Sequence, residues 1–181
     1  ALAQWGVFFS VLFAVAAVAR PPLFQEIVNR QARKFAQSWL TLVVEGDIVQ
    51  ALKYVDMKAK GQLAPRDPQG NPTVGDDLEE VILQIFSKEP AIQQLQTAGK
   101  QARIRYEQTV AMPLPTDRHT GIVQIFSITG NDSDSQGALA VESPFYVQLY
   151  LTRTHATGDQ PTIWFVDRWQ LAATLSELAS L

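Results

Sequence analysis

The chain has 181 residues, of which 46% are hydrophobic, with a formal net charge of −3 and no cysteine. The absence of cysteine excludes disulfides, thiolate metal sites and cysteine nucleophiles. An acidic balance supplies no basic surface for nucleic acid, so we expect no nucleic-acid partner. The apolar content is sufficient for one globular domain with its own core.

The N-terminal segment is the most unusual part of the sequence, since residues 1–19 carry no charge and are almost continuously apolar from Trp5 to Ala19. At about 1.5 Å per helical residue this stretch reaches roughly 28 Å, close to the hydrocarbon thickness of a bilayer. We predict a single-pass transmembrane anchor over residues 1–20. The residues expected to face lipid are Trp5, Phe8, Phe9, Leu12 and Phe13. A signal peptide cleaved after Ala19 is the competing interpretation.

The orientation of this anchor is argued from its flanks. Arg20, Arg30 and Arg33 follow the apolar stretch, and a literal positive-inside count would place the domain in the cytoplasm. A short N-terminal anchor with a cleavage-like flank is, however, typical of exported domains, so we expect an extracytoplasmic domain on a membrane protein. Its partners are then membrane lipid, through the anchor, and other proteins of a membrane assembly.

The sequence after the predicted anchor has apolar residues at helical spacing. Apolar residues from Phe24 to Leu42 recur at the spacing of one helix face and predict a long amphipathic helix. Gly46 predicts its end, and Asp47 predicts the N-cap of a second helix. The prolines and glycines between Met57 and Gly75 predict an irregular connection.

The remaining elements are two further helices and a run of strands. Acidic residues predict a helix start at Asp76, and Pro90 predicts the first turn of a short helix. After Gln101 the period changes to alternation, which predicts strands over 102–112, 121–129, 142–154 and 162–171. The predicted fold is α+β: an N-terminal transmembrane helix (1–20), then helices packed on a curved antiparallel sheet of about four strands (21–172), then a C-terminal tail (173–181).

Three segments carry a family resemblance. They are the helix Phe35-Ala36-Gln37-Ser38-Trp39-Leu40, the junction Glu45-Gly46-Asp47, and the last strand Trp164-Phe165-Val166-Asp167-Arg168-Trp169. In this order they resemble the nuclear transport factor 2-like superfamily, in which a curved sheet wraps helices into a cone. The resemblance covers nearly all of the chain after the anchor and implies an α+β domain. Because the superfamily includes enzymes, ligand-binding domains and assembly modules, the fold alone does not select a function.

The resemblance implies a set of catalytic candidates. Enzymes of the superfamily, such as ketosteroid isomerase and scytalone dehydratase, place Asp, His and Tyr inside the cone. Here Asp56 would be the base, Tyr54 or Tyr106 the hydrogen-bond donor, and Asp167 a further carboxylate. The competing interpretation is a solvated helix end at Asp56 and an ion pair of Asp167 with its neighbour. We favour a non-enzymatic domain because neither histidine lies on a predicted strand.

The two histidines are the candidates for a metal site. His119 and His155 lie in predicted connections at the same end of the sheet, where they could approach each other. Solvated loop residues are the preferred interpretation. The segment 132–137 imitates the start of a calcium loop, but its twelfth position is Ser143 in place of the bidentate glutamate. We therefore expect no cofactor and no metal.

The third predicted strand supplies a candidate binding surface. Tyr146, Gln148 and Tyr150 share one face, opposite the apolar face that contains Phe145. If the apolar face is the core, these three residues face outward and form a surface for a protein partner. The predicted function is a non-enzymatic accessory or scaffold subunit of a membrane assembly, a layout similar to the bitopic scaffold subunits of type IV secretion. The alternative is a small-molecule-binding or isomerase/dehydratase-like enzyme with a pocket inside the cone.

Overall fold

The structure is a computed structural model that describes residues 25–64, 66–70, 78–112, 119–130, 144–154 and 163–179. Within these ranges, no helix combines the length and the apolar character needed to cross a bilayer. The predicted anchor over residues 1–20 lies outside the described residues, as do His155 and the calcium-like segment 132–137.

Helices precede a four-stranded sheet. The helices are α1 (25–45 within the described part), α2 (Ile48–Lys53), α3 (Met57–Leu63), α4 (Leu78–Lys88), α5 (Pro90–Thr97) and α6 (Leu175–Ala179). The strands are β1 (Arg103–Met112), β2 (His119–Thr129), β3 (Phe145–Thr154) and β4 (Trp164–Ala172). Each strand pairs antiparallel with the next, in the order β1-β2-β3-β4. The prediction of an α+β fold with helices packed on an antiparallel sheet of four strands is confirmed.

The turn between α1 and α2 follows the predicted chemistry. Gly46 has a φ of +87°, a left-handed conformation that closes the end of α1, and its backbone N–H donates to the Val43 carbonyl at 3.1 Å. The Asp47 side chain accepts a hydrogen bond from the backbone N–H of Gln50 at 3.2 Å and caps α2. These two adjacent residues turn the chain from one helix into the next.

A pair of glycine substitutions tests this turn. Gly46→Ala is expected to lower the free energy of unfolding by about 1 kcal/mol, because a side chain is strained at a positive φ. Gly61→Ala in α3 is the matched control, since a Cβ there meets no atom within 4 Å. The control is expected to stabilise by about 0.5–1 kcal/mol through helix propensity. Urea unfolding of both variants measures the difference, and equal effects of the two changes would contradict the assignment.

The prediction of an irregular connection from Met57 is wrong for residues 57–63, which form α3. The cause is a tertiary contact just before the helix. The Val166 N–H donates to the Tyr54 carbonyl and the Asp56 N–H donates to the Val166 carbonyl, both at 2.8 Å, so residues 54–56 pair with the free edge of β4. With that segment fixed, the following residues are mostly good helix formers and continue as a helix.

The core lies between the helices and the inner face of the sheet. The largest side chains of this core that are fully buried are Trp39, Phe86, Phe126, Leu40, Ile92 and Leu95. The Trp39 indole N–H donates to the Ala51 carbonyl at 2.9 Å, which ties α1 to α2. The rings of Trp39, Phe86 and Trp169 lie 5.3–6.5 Å apart between centroids, so aromatic side chains fill the space between helices and sheet.

The outer face of the sheet is also partly covered by the chain itself. Leu178 of α6 is buried against Val123 and Ile125 of β2. The start of α6 is fixed by Thr174 and Glu177, because the Glu177 carboxylate accepts from the Ala173 N–H at 2.9 Å while the Thr174 hydroxyl accepts from the Glu177 N–H at 3.4 Å. The predicted C-terminal tail thus contains a short helix that packs on the sheet.

Candidate functional site

The residues proposed for catalysis do not share one cavity among the described residues. Tyr54 is exposed at the end of α2, where its ring meets the edge of Phe35 at 5.8 Å between centroids. Asp56 is half-buried beside β4. Tyr106 lies on the inner face of β1, opposite Phe126 of β2. The clefts considered next are both lined by described residues. Tyr106 lines one, Asp167 lines the other, and Asp56 lines neither.

The first cleft, which we call the Glu89 cleft, lies between α3, α5 and β4. It has a volume of about 190 Å³. Its lining residues are Ala59, Gln62, Leu63, Glu89, Asp167, Arg168 and Trp169. The Trp169 indole N–H donates to the Glu89 carboxylate, across 80 positions of sequence. Asp167 lies 3.8 Å from the Arg168 guanidinium, a partly exposed contact of little energy.

The surroundings of Glu89 perturb the protonation of its carboxyl group. Burial disfavours its charged form and raises the pKa of the carboxyl, while the hydrogen bond from Trp169 opposes part of that rise. A half-buried carboxylate in a cleft is a candidate proton acceptor or cation ligand.

The second cleft, which we call the Tyr106 cleft, lies between α1 and β1 and has a volume of about 260 Å³. Its lining residues are Glu26, Asn29, Arg30, Arg33, Tyr106 and Thr109. The Arg33 guanidinium stacks on the Tyr106 ring at 4.6 Å from the centroid, and Arg30 pairs with Glu26 at 3.3 Å. This cleft therefore carries more positive than negative charge.

A chain of polar side chains runs from the half-buried Tyr106 at the cleft to the buried Gln124 in the core. Tyr106 and Thr109 both face inward because a bulge between Tyr106 and Gln108 shifts the register of β1. The Tyr106 hydroxyl lies 2.8 Å from the Thr109 hydroxyl, which donates to Gln124 Oε1 at 3.1 Å. Gln124 is fully buried, and its Nε2 has no partner within the part of the chain that the structure describes.

The predicted partner residues lie on the outer face, as the alternation of β3 predicts. Gln148 is buried and donates from Nε2 to the Tyr150 hydroxyl at 2.8 Å, while Tyr146 and Tyr150 are half-buried. The Arg168 guanidinium stacks on the Tyr150 ring at 4.2 Å. The two tyrosines pack against the small apolar cluster that Leu178 of α6 forms with β2, so the accessible part of this surface is smaller than the sequence suggests.

The prediction that His119 lies in a connection between strands is wrong. His119 is not in a connection, since it begins β2 and pairs with Thr154 of β3. The strand extends further than the sequence pattern indicates because the pairing with β3 continues to that residue. Over the ranges that the structure covers, no group of three or more histidine or acidic side chains is placed to hold a metal ion.

Sequence reasoning missed Glu89 and Gln124. Gln124 had a signal, because it is a polar residue between Ile122 and Phe126 on an otherwise apolar stretch of one strand face. Glu89 had none, since nothing near it in sequence indicates the contact with Trp169.

Comparison with known proteins adds no relative: no protein-family model, curated protein or solved structure matches this chain. The functional argument therefore depends on the geometry described above.

Proposed function

We propose that the chain is a non-enzymatic accessory or scaffold subunit of a membrane assembly, held at the bilayer by residues 1–20. Its α+β domain, which we propose to be nuclear transport factor 2-like, makes the protein contacts. The observation that carries the proposal is the filled interior. Trp39, Phe86 and Phe126 occupy the space between helices and sheet, where a cone enzyme needs an open cavity.

The proposed contact surface is the accessible part of the outer sheet face around Tyr146 and Tyr150. Half-buried tyrosines suit this role because each offers a large apolar ring and a hydroxyl at low entropic cost. Arg168, stacked on Tyr150, adds a cation beside the ring. Tyrosine and arginine together are the residue types enriched in protein interfaces.

The test is the size of the native assembly. The full chain, extracted from its own membranes in a mild detergent, is expected to migrate in a complex much larger than one protomer. Tyr150→Glu is expected to release it to the size of the free chain. Val49→Glu is the matched control, because Val49 is an exposed apolar residue of α2. Release by the control, or a free chain in the wild type, would overturn the proposal.

The membrane part of the proposal needs its own measurement. Carbonate washing is expected to leave the full chain in the membrane pellet and to release a chain that lacks residues 1–20. A reporter fused after Leu181 is expected to be active only outside the cytoplasm. Activity of that reporter in the cytoplasm would overturn the proposed orientation, and release of the full chain by carbonate would overturn the anchor.

A second candidate function is favoured by the Tyr106 cleft. This cleft brings a tyrosine hydroxyl together with two arginines and a partly buried polar chain, which is the kind of site that a small-molecule-binding or isomerase-like domain uses. The partner base predicted for such chemistry, Asp56, does not line it. Binding without catalysis is therefore the form of this candidate that the contacts favour.

A further inference from the structure

Three groups at the Tyr106 cleft can donate hydrogen bonds to an anion: the Arg33 guanidinium, the Asn29 amide and the Tyr106 hydroxyl. Within the described ranges, no carboxylate pairs with Arg33, whose guanidinium has one face on the Tyr106 ring. Stacking leaves the N–H groups at the edge of the guanidinium free to form two parallel bonds to a carboxylate or phosphate. Arg30 already neutralises Glu26, so the acid in the lining does not cancel the charge of Arg33.

Asn29 adds a neutral donor to the same lining. Its Oδ1 accepts from Gln25 Nε2 at 3.0 Å, one turn away on α1. That bond orients the amide and leaves Nδ2, with its two hydrogens, as the group that faces other partners. The cleft therefore combines a cation with an amide donor.

The polar chain behind the cleft has more donor hydrogens than the two hydrogen bonds among its side chains use. Thr109 has a single hydroxyl hydrogen and gives it to Gln124 Oε1, so the Tyr106 hydroxyl must donate to Thr109. The surplus is then Gln124 Nε2, buried and without a described partner. A buried donor in this state costs about 1–3 kcal/mol.

Rotation of the Gln124 amide by 180° makes one donor available at the cleft and places Oε1 where Nε2 has no described partner. Nε2 then donates to Thr109, Thr109 donates to the tyrosine oxygen, and the Tyr106 hydrogen is released. A ligand that accepts this hydrogen takes the place of the Thr109 oxygen as its partner. The ligand must be an acceptor, and the adjacent Arg33 favours a negatively charged one.

We propose that the Tyr106 cleft binds a small organic anion, a carboxylate or a phosphate group, between Arg33 and the hydroxyl of Tyr106. The volume of about 260 Å³ lies below the range of about 300–1,000 Å³ typical of drug-sized ligands, so the ligand has few heavy atoms in the cleft. This inference rests on the second candidate function, small-molecule binding at the Tyr106 cleft, and specifies an organic anion as its ligand. It is independent of the scaffold proposal, which uses the outer face of the sheet.

Calorimetric titration of the full chain in a non-ionic detergent tests the site, with inorganic phosphate and acetate as probes. We expect saturable binding of at least one probe. Arg33→Gln and Tyr106→Phe are each expected to weaken it about tenfold or more, since each removes a hydrogen bond to a charged group. Arg103→Gln is the matched control, because it removes the same charge from an exposed position on the opposite face of β1. It is expected to leave the affinity unchanged.

A further arm distinguishes a lipid phosphate from a soluble one. Short-chain phosphatidic acid that binds more tightly than inorganic phosphate, and loses this binding in Arg33→Gln, would identify a lipid headgroup. Equal or weaker binding would identify a soluble anion. The proposal is overturned if neither probe saturates, or if Arg103→Gln weakens binding as much as Arg33→Gln. Either of these results would leave the assembly-size test of the scaffold proposal unaffected.

Discussion

Trp39→Ala is expected to lower the free energy of unfolding by about 3–5 kcal/mol. The side chain is 1% exposed and contacts the rings of Phe86 and Trp169, so its removal leaves a cavity that the surrounding side chains fill only in part. It also removes the donor to the buried Ala51 carbonyl. Since domains of this kind are stable by about 5–15 kcal/mol in total, the loss is a large part of the whole.

Trp39→Phe separates the contribution of ring packing from that of the hydrogen bond to the Ala51 carbonyl. Phenylalanine keeps an aromatic ring in the core and removes the indole N–H, so the loss is expected to fall to about 1–3 kcal/mol. Urea unfolding followed by circular dichroism measures both variants. If the two substitutions cost the same, or if Trp39→Ala costs less than about 1 kcal/mol, the interior is not packed by this residue as described.

Trp169→Phe is expected to lower the free energy of unfolding by about 1–2 kcal/mol at pH 8. The indole N–H is the described hydrogen-bond donor to the Glu89 carboxylate, and a half-buried carboxylate that loses its donor is less stable as an anion. We place the loss at the lower end of the range for charged hydrogen bonds because water still reaches the cleft. Urea unfolding at pH 8 gives the value.

The pH dependence of this effect has a defined sign. Burial raises the pKa of Glu89, so the folded chain holds its proton to a higher pH than the unfolded chain does. The stability contributed by this group is therefore complete below the ordinary pKa of a glutamate. It is lost as the pH rises through the raised value. Trp169→Phe removes the bond that opposes the rise, so its cost should be small at acid pH, where Glu89 is neutral, and full at pH 8.

Glu89→Gln tests whether the pH dependence comes from ionisation of Glu89. The amide keeps an acceptor for Trp169 and cannot ionise, so this variant should lose the pH dependence that belongs to Glu89. In its background Trp169→Phe should cost less than in the wild type. Glu45→Gln, at an exposed site in α1, is the control for loss of one negative charge. Equal costs of Trp169→Phe at both pH values and in both backgrounds would contradict the role assigned to the Glu89 bond.

The candidate sites were only partly predictable. The family resemblance implies Tyr106 as a hydrogen-bond donor, and the structure places it at a cleft. Its partner Thr109 was not predictable from alternation, because the bulge after Tyr106 changes which residues face inward. Strict alternation would have placed Gln108 beside it. The same resemblance implies Asp56 as the base, but its backbone pairing with Val166 keeps it at the edge of β4.

The sequence by itself determined the local elements of this protein. The helical spacing of α1, the Gly46-Asp47 turn and the two-residue period of β3 follow from backbone geometry, which neighbouring residues settle. The tertiary structure alone decided the helix α3, the contact of Glu89 with Trp169 and the packing of Leu178 on the outer face. Each of these joins residues far apart in sequence. Such contacts depend on where the whole chain brings its segments together, and no local period records that.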